Sequence, residues 1–330
     1  MKLMNSFEAI KRYYSNKKNG KPLYVSIEIT QNCNADCGFC GYRRSNNDGM
    51  RILETKSSYL DELLGLNPVA VGFVGGEPLI RKDLENLVKE AKTEANIPYV
   101  QITTNGSFLT IPRYNSLSEA GLDRLNISLD FLGKDHDNAR GLNGLYSKII
   151  TFLDECRNHD GARIGLSTIV MKENFSEIPS IIQFAKEYGL QVTLMPYSPV
   201  RVNSNLYSVS IEDFIPGILT KLKKENPSTI MNSKIILENG EEFLRTGRYG
   251  KCDAGNSFLW ILPNGKLRAC IDHKESECRT LDLIRKFKEH NSCNRCYLAC
   301  RSMSETVSSS KFSDLIKIGI ELSRSFTCHT

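Results

Sequence analysis

The sequence predicts an α/β fold built on a parallel sheet, and three observations carry that reading. Between residues 23 and 196, short β-rich runs alternate with amphipathic helical stretches, the pattern of parallel strands joined by crossover helices. At 330 residues the chain is long enough for one large α/β domain and a smaller one. Its 11 cysteines are unevenly spread: three lie early, seven lie after position 250, and only Cys156 falls between.

Six runs read as strands: residues 23–29, 69–74, 99–104, 124–129, 163–170 and 191–195. Between them, residues 79–91 place Leu84, Leu87, Val88 and Ala91 on one helical face. Residues 178–188 turn Ile181, Ile182 and Ala185 inward and stop at Gly189, where a C-terminal cap belongs. These are core stripes without chemistry. Right-handed crossovers put the C-terminal ends of parallel strands on one side, and ligands in such folds bind at that edge. The alternation fades into a polar stretch, 198–210, and helical segments run on to about residue 245. Two apolar runs around Pro263-Asn264-Gly265 then make a β-hairpin that returns Cys270 toward Cys252. The end of the chain is Ser-rich, with an amphipathic helix expected over 312–322.

Lys and Arg exceed Asp and Glu by 43 to 38, too small a balance to argue for nucleic acid. Residues 1–22 are polar with no signal-like apolar core, and no run is long enough to span a membrane, so the expectation is a cytoplasmic protein. In a reducing compartment, 11 cysteines argue for metal rather than disulfides.

The first group, Cys33-x3-Cys37-x2-Cys40, follows the first strand and has no fourth cysteine nearby. Three thiolates on a [4Fe-4S] cube leave one iron open to a substrate or cofactor, whereas an electron-carrying ferredoxin run supplies four ligands. With Phe39 just before the last cysteine, this spacing resembles the signature of the radical S-adenosylmethionine (SAM) superfamily. The resemblance implies a partial (β/α)6 TIM-like barrel. It also implies that Cys33, Cys37 and Cys40 hold a [4Fe-4S] cluster whose open iron binds SAM. Reductive cleavage of SAM would then yield a 5′-deoxyadenosyl radical that takes a substrate hydrogen.

Further motifs extend the resemblance at the strand ends. Gly75-Gly76-Glu77 after the second strand looks like the family's GGE motif, which contacts the SAM ammonium. Thr104 and Asn105 follow the third strand, and Ser128 and Asp130 end the fourth, where paired donors and acceptors suit ribose hydroxyls. Thr104 serves equally as a cap for the following helix. Ser167 and Thr168 on the fifth strand would face SAM, and Met195 on the sixth would lie near adenine or in plain core. Arg140 suits a bidentate pair with the SAM carboxylate, while nearby His136 serves as well at a solvated helix start.

The second group comprises Cys252, Cys270 and Cys293-x2-Cys296-x3-Cys300. With Gly265-x4-Cys270, it resembles the SPASM and twitch domains that follow many radical SAM barrels. This implies a small C-terminal cysteine-rich cluster-binding domain and an auxiliary [4Fe-4S] cluster on Cys252, Cys270, Cys293 and Cys296, with Cys300 as substitute ligand. The run lacks the SPASM five-residue gap, which favours one auxiliary cluster, yet seven late cysteines equal the SPASM total and leave two open. A structural zinc site is the alternative, since paired cysteines serve zinc too. Cys278, Cys300 or Cys328 is a candidate hydrogen-donor thiol, and Cys156 is core.

The expected organisation is an N-terminal extension (1–22), a radical SAM core (23–200), connecting helices (201–247), a SPASM/twitch-like auxiliary cluster domain (248–303) and a tail (304–330). The expected reaction is oxidation or epimerisation of a small hydroxylated metabolite such as a sugar or aminocyclitol. Maturation of a ribosomally made peptide is the alternative, although about twenty residues before the first strand leave little room for a leader-binding domain. A non-catalytic iron–sulfur or zinc protein is the third reading. Expected partners are the substrate and a reductant such as flavodoxin or ferredoxin. The fourth-to-fifth strand region also resembles the molybdopterin-pathway GTP cyclases, but this chain ends Phe326-Thr327-Cys328-His329-Thr330 where those end in glycine-arginine-arginine.

Overall fold

The computed structural model describes residues 3–42, 55–157, 159–210, 212 and 214–309. Its strands are β1 (Tyr24–Thr30), β2 (Ala70–Gly75), β3 (Tyr99–Thr104), β4 (Arg124–Ser128), β5 (Arg163–Val170), β6 (Gln191–Pro196), β7 (Phe258–Ile261), β8 (Leu267–Arg268) and β9 (Glu277–Cys278). They form one sheet in the order β6-β5-β4-β3-β2-β1-β7-β8-β9. Strands β1 to β6 are parallel throughout, as crossover helices require. All six lie where the alternation predicts, with ends shifted by at most one residue.

The crossover helices are α2 (Leu60–Leu66), α3 (Leu84–Lys89), α4 (Ile111–Glu119), α5 (Lys134–Arg140), α6 (Leu145–Cys156) and α7 (Ile178–Glu187); α1 (Leu3–Asn19) precedes them. The continuous helix expected over 79–91 is broken. A 3-10 turn, Pro78–Ile80, gives way to extended backbone at Arg81, and α3 begins only at Leu84. Tertiary hydrogen bonds override helical periodicity here: the Arg81 guanidinium reaches the Ile29 carbonyl at 3.0 Å and the Lys56 carbonyl at 2.9 Å. At the N-terminus, α1 is tied to the strand bottoms, where Asn16 Nδ2 donates to the Pro22 and Asn67 carbonyls at 2.8 Å.

Period-two alternation sorts the two faces of β1. Val25, Ile27 and Ile29 are fully buried in one core with Leu63, Leu84 and Leu87 of the helices, each such side chain contributing about 1.5–3 kcal/mol. Tyr24, Ser26 and Glu28 share the opposite, inner face. That face is polar: the Tyr24 hydroxyl accepts from Gln101 at 2.7 Å, and Arg124 Nε donates to Asn126 at 2.8 Å. Ser128, Ser167 and Thr193 on the same face are half-buried.

After β6 come α8 (Ile218–Glu225), α9 (Lys234–Thr246), α10 (Leu281–His290) and α11 (Ala299–Ser309). The expected hairpin is present: β7 and β8 pair antiparallel, with Trp260 opposite Arg268. Strand β7 also pairs parallel with β1, Ser26 opposite Trp260, so the cysteine-rich segment extends the barrel sheet instead of forming a sheet of its own. No helix of the described residues is long and apolar enough to cross a membrane. The helix expected over 312–322 and Cys328 lie outside the described residues.

Candidate functional site

The loop after β1 carries Cys33, Cys37 and Cys40 at the C-terminal edge of the sheet. Cys37 is buried and the other two are half-buried. The Ala35 amide donates to Cys33 Sγ at 3.4 Å, and Arg140 Nη1 lies 3.8 Å from Cys37 Sγ. Burial pushes the Cys37 thiol up to about 12, Arg140 opposes that shift, and the charges of Cys40, Asp130 and Cys33 add to it. Burial likewise raises Cys33. Three thiols on one loop, of which Cys33 and Cys37 resist ionising, fit a positively charged iron centre, which deprotonates its thiol ligands, and the N–H donors suit the thiolates formed.

Gly75 and Gly76 serve backbone contact between loops. A Cβ on Gly75 would lie 2.1 Å from the Thr30 carbonyl oxygen, and one on Gly76 2.1 Å from that of Asn32. The Gly76 and Glu77 amides donate to those carbonyls at 2.9 and 2.8 Å. The GGE turn thus presses the end of β2 against the start of the cysteine loop. Glu77 itself is buried, accepting from the Leu79 amide (3.0 Å), the Thr104 hydroxyl (2.6 Å) and the Asn105 amide (2.7 Å). Burial raises its pKa against the pull of those bonds. Asn105 Nδ2 continues the chain of contacts to Asn34 Oδ1 at 2.9 Å, inside the cysteine loop. Thr104 also accepts from the Gly106 amide at 3.0 Å, a turn contact; the capping role considered for it falls instead to Thr110, which accepts from the Arg113 amide at the start of α4.

Asp130 and Arg140 are brought together. Their side chains form a buried ion pair, and the second Asp130 oxygen accepts from the Ile169 amide at 2.9 Å. The pairing expected of Arg140 with a ligand carboxylate is met within the protein, as is that of Asp130. Arg140 also stacks over the Phe39 ring, 5.3 Å from its centroid. His136 is fully buried; its Nδ1 accepts from the Asp130 amide at 3.4 Å, and burial, then Arg140, lowers its pKa to about 3. The solvated position considered for His136 is therefore corrected: it is a neutral core histidine. Ser128 and Ser167 are register partners and half-buried. Thr168 turns to the other face, as period two demands, and donates to the Leu129 carbonyl at 2.6 Å. Met195 packs in core with Phe243 and Tyr297.

The later cysteines converge from three segments. The Cys252 amide donates to the Cys293 carbonyl at 2.9 Å, and the hairpin returns Cys270 to the same neighbourhood. Burial pushes Cys252 and Cys300 up to about 12 and Cys270 well above the usual thiol range, and their charges, with that of Cys296, raise one another. Cys293 behaves differently: against the upward pull of burial, hydrogen bonds from Arg295 and His273 lower it. Cys300 is in the set and beside Ser26 on the inner face of β1. Cys278, on edge strand β9, lies 3.3 Å from the Thr280 carbonyl oxygen and is outside it. Cys156 is core, as expected.

Three residues unremarked in the sequence organise these sites. Asn174 Nδ2 donates to the Asp130 and Ile169 carbonyls at 2.8 Å, joining the ends of β4 and β5. Asn291 bridges the Cys252 carbonyl (3.1 Å) and the Cys293 amide (3.0 Å). Fully buried Arg301 donates to the Cys296 carbonyl at 2.8 Å, approaches its Sγ at 3.6 Å and pairs with Glu305 at 3.2 Å. Only Arg301, adjacent to a cysteine, carries a local signal. Among the described residues, no three His, Cys, Asp or Glu side chains converge as around a single ion; the thiols of a cubane stand at separate iron corners and are spaced more widely.

Comparison with known proteins places this geometry. Residues 27–185 match the family model described as "Radical SAM superfamily". A probable GTP 3′,8-cyclase of Sulfurisphaera tokodaii is 27% identical over 274 residues, covering 79% of this chain and 85% of that protein. A GTP 3′,8-cyclase of Marinobacter nauticus is 35% identical over 185 residues, 54% of each chain. The fold is shared with Streptococcus suis SuiB crystallised with S-adenosylmethionine, at a TM-score of 0.62 and 17% identity over 97% of this chain and 76% of that one. The likeness to GTP cyclases therefore runs well beyond the β4–β5 region where it was first seen. With its three-cysteine loop at the C-terminal edge of a parallel sheet and a family model that runs from within β1 through β5 to α7, residues 27–185 form a radical SAM domain.

Proposed function

We propose that the chain abstracts a hydrogen atom from a small hydroxylated substrate, with Cys33, Cys37 and Cys40 holding the SAM-binding [4Fe-4S] cluster and later cysteines holding an auxiliary [4Fe-4S] cluster. The observation that carries this is the triad of thiols on one loop, joined by Arg140 and by the Glu77–Asn105–Asn34 contacts to the strand ends where a ligand would lie. When bound, the reduced cluster and SAM supply a 5′-deoxyadenosyl radical. Half-buried Ser128 and Ser167 offer hydroxyls toward the cofactor from the inner face. Gly75, Gly76, Glu77, Thr104 and Asn105 fix the loop, and the Asp130–Arg140 pair with Phe39 holds Cys37 in place.

The auxiliary site draws on Cys252, Cys270, Cys293 and Cys296, with Cys300 reaching toward the inner face beside Ser26. A cluster there would accept the electron released if the substrate is oxidised. If Cys300 is instead a free thiol, it is placed to return a hydrogen, giving epimerisation. Oxidation or epimerisation of a sugar or aminocyclitol is the first reading. Cyclisation of GTP is the second, favoured by the names of the relatives. A flavodoxin or ferredoxin would supply the reducing electron. Maturation of a peptide has fold likeness alone behind it, in SuiB bound to its precursor peptide SuiA at a TM-score of 0.58.

Anaerobic incubation of reconstituted protein with SAM, dithionite and either GTP or an amino sugar tests the proposal. The expected result is 5′-deoxyadenosine whose formation rises with one substrate; a cyclised nucleotide would select the second reading. No 5′-deoxyadenosine with any substrate would leave a cluster carrier.

A further inference from the structure

Between the two cysteine groups lies a set of charged residues for which the site as described has no use. Glu28 is fully buried on the inner face of β1. Its Oε1 accepts from Gln31 at 3.3 Å, and its Oε2 has no hydrogen bond of ordinary geometry, though the Tyr42 hydroxyl is a neighbour. A carboxylate oxygen has two lone pairs, so one neighbouring hydroxyl leaves capacity to spare. Asp272, two residues beyond Cys270, pairs through Oδ1 with Arg201 at 3.6 Å, while its buried Oδ2 is unpartnered. Arg201 stacks on the Tyr42 ring, 5.1 Å from the centroid, and packs against Gly41, so it links the loop of Cys40 to the loop of Cys270.

Each cation here already has an anionic partner. Arg201 has Asp272 and an aromatic face; Arg268 pairs with Glu277 at 2.5 Å. Two carboxylate oxygens, Glu28 Oε2 and Asp272 Oδ2, remain open here beside two open donors, Arg268 Nε and Trp260 Nε1, and a buried acceptor without a donor is costly. Trp260, the chain's single tryptophan, is the register partner of both Ser26 and Arg268 and so shares their face.

We propose that Glu28 and Asp272 form a carboxylate subsite between the two cysteine groups that receives N–H or O–H donors of the substrate. It rests on the radical SAM reading for the substrate's location. A hydroxyl- and ammonium-bearing sugar and the amide and amine of a guanine base offer the same donor chemistry; a phosphate chain, which offers only acceptors, does not.

Equilibrium titration of the anaerobic holoenzyme, followed by Trp260 emission, tests this with three probes: glucosamine, guanosine and inorganic triphosphate. Glucosamine or guanosine is expected to shift the emission saturably, and to bind roughly tenfold or more weakly in Glu28→Gln and in Asp272→Asn, the loss expected for a charge-assisted hydrogen bond. The probe that binds identifies the source of the donors. Cluster absorbance and circular dichroism verify that each variant is folded, and Asp272, partly exposed at a loop, provides the test should Glu28→Gln not fold. Binding of triphosphate alone, no shift with either donor probe, or equal affinities in wild type and folded variants would overturn the subsite. Because the readout needs no turnover, its failure is separate from absence of 5′-deoxyadenosine, which would sink the radical reading.

Discussion

The two cysteine sites solve one problem by different routes. At the first, three thiols sit within eight residues of one loop, fastened to the ends of β2 and β3. At the second, thiols from separate segments meet only because β7 pairs with β1 and the hairpin turns back. Yet each site has the same device beside its sulfur. Arg140 reaches Cys37, pairs with Asp130 and stacks on Phe39; Arg301 reaches Cys296, pairs with Glu305 and stacks on Tyr249 at 4.7 Å. A buried guanidinium among thiolates offsets their charge, and a carboxylate and ring fix its plane.

The largest effects come from removing a thiol at either site. Cys33→Ala is expected to lose about four irons per chain and all SAM cleavage while keeping the second site's iron. Cys270→Ala should lose the second set, keep the first and fail in turnover. Iron analysis with 5′-deoxyadenosine assay checks both, and full turnover in the Cys270 variant would make the second site structural. About eight irons in the wild type indicates one auxiliary cluster, twelve two, and four a zinc second site.

Next come the arginines. Arg140→Met strands Asp130, whose side chain is 0% exposed, and Arg301→Met strands Glu305, at 12%. Removing one partner of a buried pair costs about 3–5 kcal/mol, and the fully buried Asp130 should put the Arg140 variant at the upper end. Thermal midpoints compare them; a larger loss at Arg301 would show that its carbonyl contacts matter more than the ion pair.

That contrast also explains what could be read in advance. The six strands, the hairpin and Cys33, Cys37 and Cys40 are local signals: period-two alternation, a turn, a short spacing. Nothing local tells that β7 joins β1, because strand pairing is decided by packing across more than two hundred residues. The roles of Glu77, Asp130 and Arg140 were legible as polar groups at strand ends, but their partners were not. A carboxylate at such an edge meets either a ligand or a protein donor, and only the fold decides which. Asn174 and Asn291 had no signal at all, since an asparagine that ties two stretches of backbone together looks like any loop residue.

A smaller effect is expected where the first site is tightest. Gly76→Ala would put a methyl group 2.1 Å from the Asn32 carbonyl, backbone that cannot rotate away. Overpacking of this kind costs about 1–3 kcal/mol, and the displaced loop carries Cys33. A lower thermal midpoint together with weaker SAM binding is expected, while iron at the second site is retained. Unchanged SAM binding would separate the GGE turn from the geometry of the cysteine loop.

The mildest test uses His136, which belongs to the first site alone. Burial and Arg140 hold its pKa at about 3, whereas the unfolded chain takes up a proton near 6.5. Below 6.5 the unfolded state therefore binds the extra proton and the folded state does not, so this stability is present above pH 6.5 and lost as pH falls toward 3. His136→Gln keeps an acceptor for the Asp130 amide but has no such proton to gain. Between pH 6.5 and 5 the wild type should lose up to about 1.4 kcal/mol per pH unit relative to the variant, read from urea midpoints. Parallel pH profiles would mean that the imidazole is protonated in the folded protein, and that the pocket around Asp130 and Arg140 is wetter than its packing indicates.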